Sequence, residues 1–273
     1  MSDYISVNRA NWNSRVPHHL VGYDLASFRA DPKFISDVVR FDQARLGSVV
    51  GLDVVHLQCH IGTDTLSLAR LGAHGVTGLD FSAPALEAAA QLANDCGAKI
   101  DYVESELYDA LEVLGPQRFD LVYTGVGALC WLPDIRRWAE VVAGLLRPGG
   151  RLFIREGHPV LMALSDPRPD GLLVLEYPYF ETDAVTFFAD KSYVEHEGVL
   201  ESPEIRHFNH GLGEIVSALL DAGMTLSALE EHRSVPWLAL EGMMQEDGCG
   251  EYEMIKGRDL VPLTYTLQAV KPL

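Results

Sequence analysis

The chain has 273 residues, of which 48% are hydrophobic and 22% charged, enough apolar material for one large packed domain or a domain with a cap rather than a disordered chain. Its net charge of −18 argues against a nucleic-acid backbone or an anionic membrane surface as partner, since both are held by surplus Lys and Arg. Cys59, Cys96, Cys130 and Cys249 form no CxxC pair, which argues against a disulfide scaffold or a zinc knuckle.

Met1-Ser2-Asp3-Tyr4 has neither the basic start nor the apolar run of a signal peptide. The longest uncharged run, Leu121 to Pro133, spans 13 residues, short of the roughly 20 that cross a bilayer. A cytoplasmic protein is expected, with no membrane or nucleic acid as partner and its oligomeric state left open.

Residues 1–48 read as helical segments around a polar loop that gathers Asn8, Asn11, Trp12, Asn13, Arg15, His18, His19 and Tyr23 before Pro32. Either this is a helical lid over a pocket, with Trp12 and Tyr23 toward a substrate, or a surface helix packed by Trp12 and Phe28. From residue 49 to 157 the periodicity changes. Apolar strands at 53–58, 75–80, 99–103, 119–124 and 150–156 alternate with helices at 64–71, 83–95 and 134–146. That alternation predicts an α/β fold, a mostly parallel sheet with helices on both faces. Ser82 caps the helix from Ala83 to Asp95, with Pro84 in its first turn and Gly97 beyond its end; Asp134 caps the next, which stops at Arg147-Pro148-Gly149-Gly150.

Residues 158–208 break the pattern and read as a cap insertion, with short antiparallel strands at 174–179 and 186–197 among Tyr177, Tyr179, Phe180, Phe187, Phe188, Tyr193 and Phe208. Residues 209–273 return to the core: a helix at 210–222, a strand at 225–232, a polar loop, and a last, antiparallel strand at 263–270 that completes a seven-stranded Rossmann-like sheet.

The chemistry concentrates at Val54 to Thr63 and Gly78 to Ser82. A buried strand, a tight turn and a helix are answered by a second strand ending in Asp80, 18 residues beyond Gly62. A small turn beside a carboxylate at the carboxyl edge of a parallel sheet is where nucleoside-like cofactors bind.

Six segments in order make residues 50–156 similar to the core of the class I S-adenosylmethionine-dependent methyltransferases. They are 54–63, Leu79-Asp80-Phe81-Ser82, Glu104 to Asp109, Phe119 to Tyr123, Leu132-Pro133-Asp134, and Leu146 to Leu152. The resemblance implies S-adenosyl-L-methionine as cofactor. Gln58, Cys59, His60 and Gly62 would wrap its methionine part, and Asp80 would accept from the two ribose hydroxyls. Phe81 and Ser82 would lie by the adenine, Glu106 and Leu107 would hold the adenine edge, and Thr124 and Gly125 would border the sulfonium. The family turn usually carries three glycines, which let the backbone approach the ligand; here those positions read Gln58, His60 and Gly62, and His56 replaces a common acidic residue.

Methyl transfer to O or N of a small organic acceptor is the activity the resemblance implies, with Trp12, Tyr23, Trp131 and His210 toward the substrate. His158, just past the fifth strand beside Glu156, is the candidate general base by position; each histidine has the alternative of a hydrogen-bonded structural imidazole. His207 and His210, with Glu204 nearby, lack a third ligand at motif spacing, so no metal is expected. The alternative function is a methyltransferase-like scaffold that catalyses a non-methylating reaction such as a cyclisation, or binds a ligand without turnover.

Overall fold

The computed structural model describes residues 3–194 and 197–273. Met1 and Ser2, and Glu195 and His196 of the strand expected at 186–197, lie outside them. Three helices come first: α1 (Asp3–Gly22), α2 (Leu25–Ala30) and α3 (Asp37–Leu46). The alternating core follows as β1 (Asp53–Leu57), α4 (Thr63–Arg70), β2 (Gly75–Asp80), α5 (Ala83–Asp95), β3 (Asp101–Glu104), α6 (Ala110–Leu114), β4 (Phe119–Thr124), α7 (Ile135–Leu145) and β5 (Leu146–Gly157). Next come α8 (Pro159–Met162), β6 (Val185–Phe188), β7 (Glu204–His207), α9 (Leu212–Asp221) and β8 (Thr225–His232), then the short strands β9 (Ser234–Val235), β10 (Met244–Glu246) and β11 (Tyr252–Met254), and finally β12 (Thr264–Val270).

Seven strands form the main sheet in the order β3-β2-β1-β4-β5-β12-β8. The first five are mutually parallel, and β12 runs antiparallel to both β5 and β8. The chain leaves β1 toward β3 on one side and returns to β4 on the other, so a crevice opens at the carboxyl ends of β1 and β4. Successive residues face opposite layers. Val55, Val122 and Ile154 pack with Trp138, Val142 and Leu219 on one side, while Val54, Leu121 and Phe153 pack with Val39 and Leu68 on the other. Ser82 and Asp134 cap α5 and α7 as expected, accepting from the backbone N–H of Ala85 and Arg137.

Four expectations need correction. The polar residues of the N-terminal region sit on one 20-residue helix, α1, which runs through Pro17 without a break, and not in a loop. Its buried residues are Asn8, Asn11, Arg15, Val16 and His19, all but one polar, so apolar periodicity could not reveal it. Residues 174–179 form no strand beyond a single bridge between Leu164 and Leu175. The strand begun at 186 is β6, ending at Phe188, and its antiparallel partner is β7. The polar loop of 233–262 contains the three-stranded sheet β10-β11-β9, with Val235, Leu240, Met244 and Met254 in a satellite core. This segment is tied down by Glu251, whose carboxylate receives both ends of the buried Arg155 guanidinium at 2.9 and 2.6 Å.

Candidate active site

The turn after β1 keeps the backbone shape that glycines would give while using other residues. Gln58 and His60 hold φ of 57° and 49°, and Gly62 holds 75°. For the first two this left-handed backbone carries a steric penalty. Gly62 is required: a Cβ there would meet the Tyr102 hydroxyl at 2.6 Å and Ala89 at 2.8 Å. The Gln58 side chain donates to the Ala128 carbonyl at 3.0 Å, tying the turn to the loop after β4. The His60 ring packs against Trp12 and His19, with its Nε2 2.6 Å from His19 Nδ1. Burial, with Arg15 nearby, lowers the His60 pKa to about 3, so the ring is neutral at physiological pH. Cys59 is buried beneath the turn.

Asp80 ends β2 facing that turn. Its two oxygens accept from the backbone N–H of His60 and of Ser82, each at 2.9 Å. Each carboxylate oxygen has a second lone pair, so the group is fixed in direction and still able to accept. Burial pushes its pKa up to about 6, against the pull of those N–H groups. Phe81 is half-buried under the Arg9 guanidinium, and the Ser82 hydroxyl donates to Asn13. Glu106 accepts from the Tyr4 hydroxyl at 2.8 Å, and Leu107 is buried beside it. The Thr124 hydroxyl is buried without a partner among the described residues, and Gly125 follows at the strand end. Helix α1 thus lies along the whole expected cofactor row: Tyr4 on Glu106, Arg9 on Phe81, Asn13 on Ser82, Trp12 and His19 on His60. Asn13 belongs to the polar cluster the sequence gathers in the possible lid, whereas no local signal marks Tyr4 and Arg9 for this row.

On the far side of the turn the aromatic residues form a continuous wall. Trp12 meets Trp131 edge-on with centroids 5.3 Å apart, and Trp131 meets His207 at 6.0 Å. Trp131 is fixed by its indole N–H on the Gly127 carbonyl. Tyr23 reaches the Tyr193 hydroxyl at 2.6 Å. Two small clefts lie beyond, sharing Met162 and Asn209, with His207 lining the first and Glu156 and His210 the second. Neither touches Asp80 or the turn, where α1 closes the crevice.

His158, the expected base, caps α8. Its Nδ1 accepts from the Val160 backbone N–H at 3.1 Å and its Nε2 lies 2.9 Å from Glu231 of β8, two strands away from the crevice. His158→Ala is therefore expected to lower stability by about 1 kcal/mol in urea denaturation, while turnover stays within twofold; a turnover collapse at unchanged stability would restore the base. His210 has both ring nitrogens near acceptors, Nε2 2.7 Å from the Leu132 carbonyl and Nδ1 2.8 Å from Glu181. Glu156 accepts four backbone N–H groups, from Gly127, Ala128, Leu129 and Gly157, and so shapes the loop that carries Trp131. No cluster of three or more His, Cys, Asp or Glu placed to hold a metal ion occurs among the described residues. No helix of the described residues is long and apolar enough to cross a membrane.

Residues 55–152 match a family described as a methyltransferase domain. A ubiquinone biosynthesis O-methyltransferase from Klebsiella pneumoniae is 36% identical over 124 residues, 44% of this chain and 50% of that protein. One from Serratia proteamaculans is 34% identical over 109 residues, 40% of this chain and 44% of that protein. The chain spans about half the length of these curated relatives. Among solved structures, an S-adenosylmethionine-dependent methyltransferase from Mesorhizobium loti aligns with a TM-score of 0.61 and 21% identity, covering 86% of this chain and 98% of its own. The Burkholderia thailandensis 1,6-didemethyltoxoflavin-N1-methyltransferase, with 1,6-didemethyltoxoflavin and S-adenosylhomocysteine bound, aligns at 0.56 with 18% identity, covering 99% of this chain and 90% of its own.

Proposed function

We propose that this chain, which carries a methyltransferase domain in the class I S-adenosylmethionine-dependent fold, transfers a methyl group from S-adenosylmethionine to an oxygen or nitrogen of a small organic acceptor. The observation that carries this reading is the Asp80 carboxylate, aimed at the switch-point crevice by the N–H groups of His60 and Ser82 with lone pairs left for a sugar diol. S-adenosylmethionine supplies an already activated methyl group, so the protein's own work is grip, alignment and exclusion of water. Asp80 holds the ribose. Phe81, Ser82, Glu106 and Leu107 border the adenine, and the turn from Gln58 to Gly62 faces the amino-acid tail. Thr124 and Gly125 stand beside the sulfonium.

Residues 1–48 act as the lid. Because Tyr4, Arg9, Trp12 and Asn13 rest on the cofactor row, α1 swings aside for the nucleoside to enter. Residues 158–208 act as the cap, and the acceptor sits between Trp12, Tyr23, Trp131 and His207, an aromatic enclosure suited to a flat organic molecule. The named activities of the relatives, O-methylation in ubiquinone biosynthesis and N1-methylation of 1,6-didemethyltoxoflavin, are both of this kind. The four cysteines, all free, suit a reducing cytoplasm.

Calorimetry with S-adenosylmethionine and S-adenosylhomocysteine tests the reading, and binding of both is expected. Absence of either heat signal would remove methyl transfer. Binding with no methyl transferred across a panel of catechols, phenols and amines would favour a non-methylating reaction such as a cyclisation, or ligand binding alone. The side chains at positions 58 and 60, where the family keeps glycine, are what favour that second reading.

A further inference from the structure

His207 stands apart from the imidazoles around it. His60 meets His19, His158 meets Val160 and Glu231, and His210 meets Leu132 and Glu181. Neither ring nitrogen of His207 has a hydrogen-bond partner among the described residues, and the residue is only partly buried. An imidazole left unpaired at the wall of a cleft is available to a ligand. Its direction is set by the cap strands. In the register of β6 with β7, His207 lies opposite Val185 and Ile205 opposite Phe187, so these four side chains share one face. The His207 ring stands edge-on to Phe187 at 5.8 Å and to Trp131 at 6.0 Å. The next residue ties this strand to the loop after β4, its Phe208 N–H donating to the Cys130 carbonyl at 2.8 Å. That loop runs from Gly125, beside the expected sulfonium, to Trp131.

The cleft that His207 lines carries no charged side chain. Met162, Tyr177, Val185 and Phe187 supply apolar surface, and Thr182 and Asn209 its neutral polar groups. The Asn209 amide is already committed to the carbonyls of Pro159 and Pro178. Such walls favour a neutral acceptor over its anion. A neutral hydroxyl must lose its proton as it is methylated, whereas a neutral amine attacks through its lone pair and sheds its proton afterwards. Burial, with His210 nearby, lowers the His207 pKa to about 4, so its ring is neutral at physiological pH and has one nitrogen open to a proton. We propose that His207 takes the proton of an aromatic hydroxyl as that oxygen is methylated, an assignment that rests on the reading of the crevice as an S-adenosylmethionine site. The O–C bond forms as the C–S bond breaks, and the C–S electron pair stays on sulfur to leave S-adenosylhomocysteine. The hydroxyl proton passes to the imidazole and on to water. The acceptor is thereby an oxygen nucleophile, flat enough to lie against Trp131 and Phe187.

The test uses acceptors matched in shape and different in acidity. Catechol, guaiacol and phenol are each set beside their 4-nitro counterparts, whose hydroxyl ionises near neutral pH and needs no base. His207→Phe keeps the ring contacts and removes the proton acceptor. It should lower kcat by about 100-fold or more on the un-nitrated acceptor and by less than about threefold on its nitro counterpart. Affinity for S-adenosylhomocysteine, read by calorimetry, should stay within about twofold. His207→Gln, which accepts a hydrogen bond without taking a proton, should keep KM nearly unchanged and lose kcat in the same pattern. Each comparison is made within one protein, so a general loosening of the cap cancels. A residue that only packs would lower both acceptors alike, and equal losses, or full activity, overturn the proposal. Should neither variant fold, the wild-type chain decides: paired acceptors should turn over within about tenfold of each other, and a preference of about 100-fold or more for the nitro form overturns it. Wild-type protein that binds S-adenosylhomocysteine and methylates no member of the series also overturns it. Wild-type protein that does not bind S-adenosylhomocysteine overturns the methyltransferase reading itself, a separate result.

Discussion

Asp80→Ala is expected to weaken S-adenosylhomocysteine binding by at least about 100-fold, read by calorimetry. Two ribose hydroxyls lose a charged acceptor worth about 1.5–3 kcal/mol per bond, and the His60 N–H that sets the turn loses its anchor as well. Asp80→Asn separates the two effects, because the amide keeps the shape and one acceptor oxygen. The pH dependence has a definite sign. Burial, the larger influence, raises the Asp80 pKa from 3.8 to about 6, so the carboxylate form that accepts from the diol is lost as pH falls through 6. Affinity should decline below that pH and level off above it. Stability without ligand runs the other way. A carboxyl whose folded pKa lies above its unfolded value makes the folded state less stable as pH rises from about 4 to 6. Asp80→Asn should remove this pH dependence of stability while binding cofactor poorly, because its amide N–H then faces one of the two backbone donors. An unchanged dissociation constant in Asp80→Ala would assign the carboxylate to turn structure alone.

The second large effect is expected at Glu156, and it is structural. Its carboxylate accepts from Gly127 and Gly157 through one oxygen and from Ala128 and Leu129 through the other, all between 2.6 and 2.8 Å. Burial raises its pKa, and the four donors oppose that rise. Glu156→Ala leaves four N–H groups without their acceptor in a mostly buried loop, a loss of at least about 3–5 kcal/mol. Glu156→Gln keeps one oxygen and sets an amide N–H against two donors, so it should lose roughly half as much. Urea denaturation measures both. The Gly127 carbonyl also holds the Trp131 indole, so a surviving Glu156→Gln protein should show an altered Trp131 environment in near-ultraviolet circular dichroism. A Glu156→Ala variant within about 1 kcal/mol of the wild type would mean that other contacts hold the loop.

The sites differ in how far residue order alone reveals them. Asp80 is legible because a carboxylate at the end of an apolar strand, a fixed distance past a tight turn, is a local pattern. Glu156 is only half legible: its position after a strand suggests chemistry, but the donors that occupy it come from 27 to 29 residues away as well as from its own neighbour. His158 shows the same limit, since proximity to a strand end says nothing of where the imidazole points. Its partner Glu231 sits on a strand that joins the sheet only after the cap has been traversed.

Residue order by itself determined the alternation of strand and helix from β1 to β5, the caps at Ser82 and Asp134, the antiparallel final strand and the acid at the end of β2. All of these follow from short-range periodicity and from residues whose backbone preference acts within a few positions. Only the tertiary structure decided that α1 is one helix buried by a polar face, that Asn8 hydrogen-bonds the backbone of Arg206, 198 residues away, that the segment around Glu251 folds as a sheet, and that Arg15 is buried. These are pairings between polar groups far apart in the chain. Hydrophobic patterning records which residues avoid water, but it carries no information about which buried donor meets which acceptor.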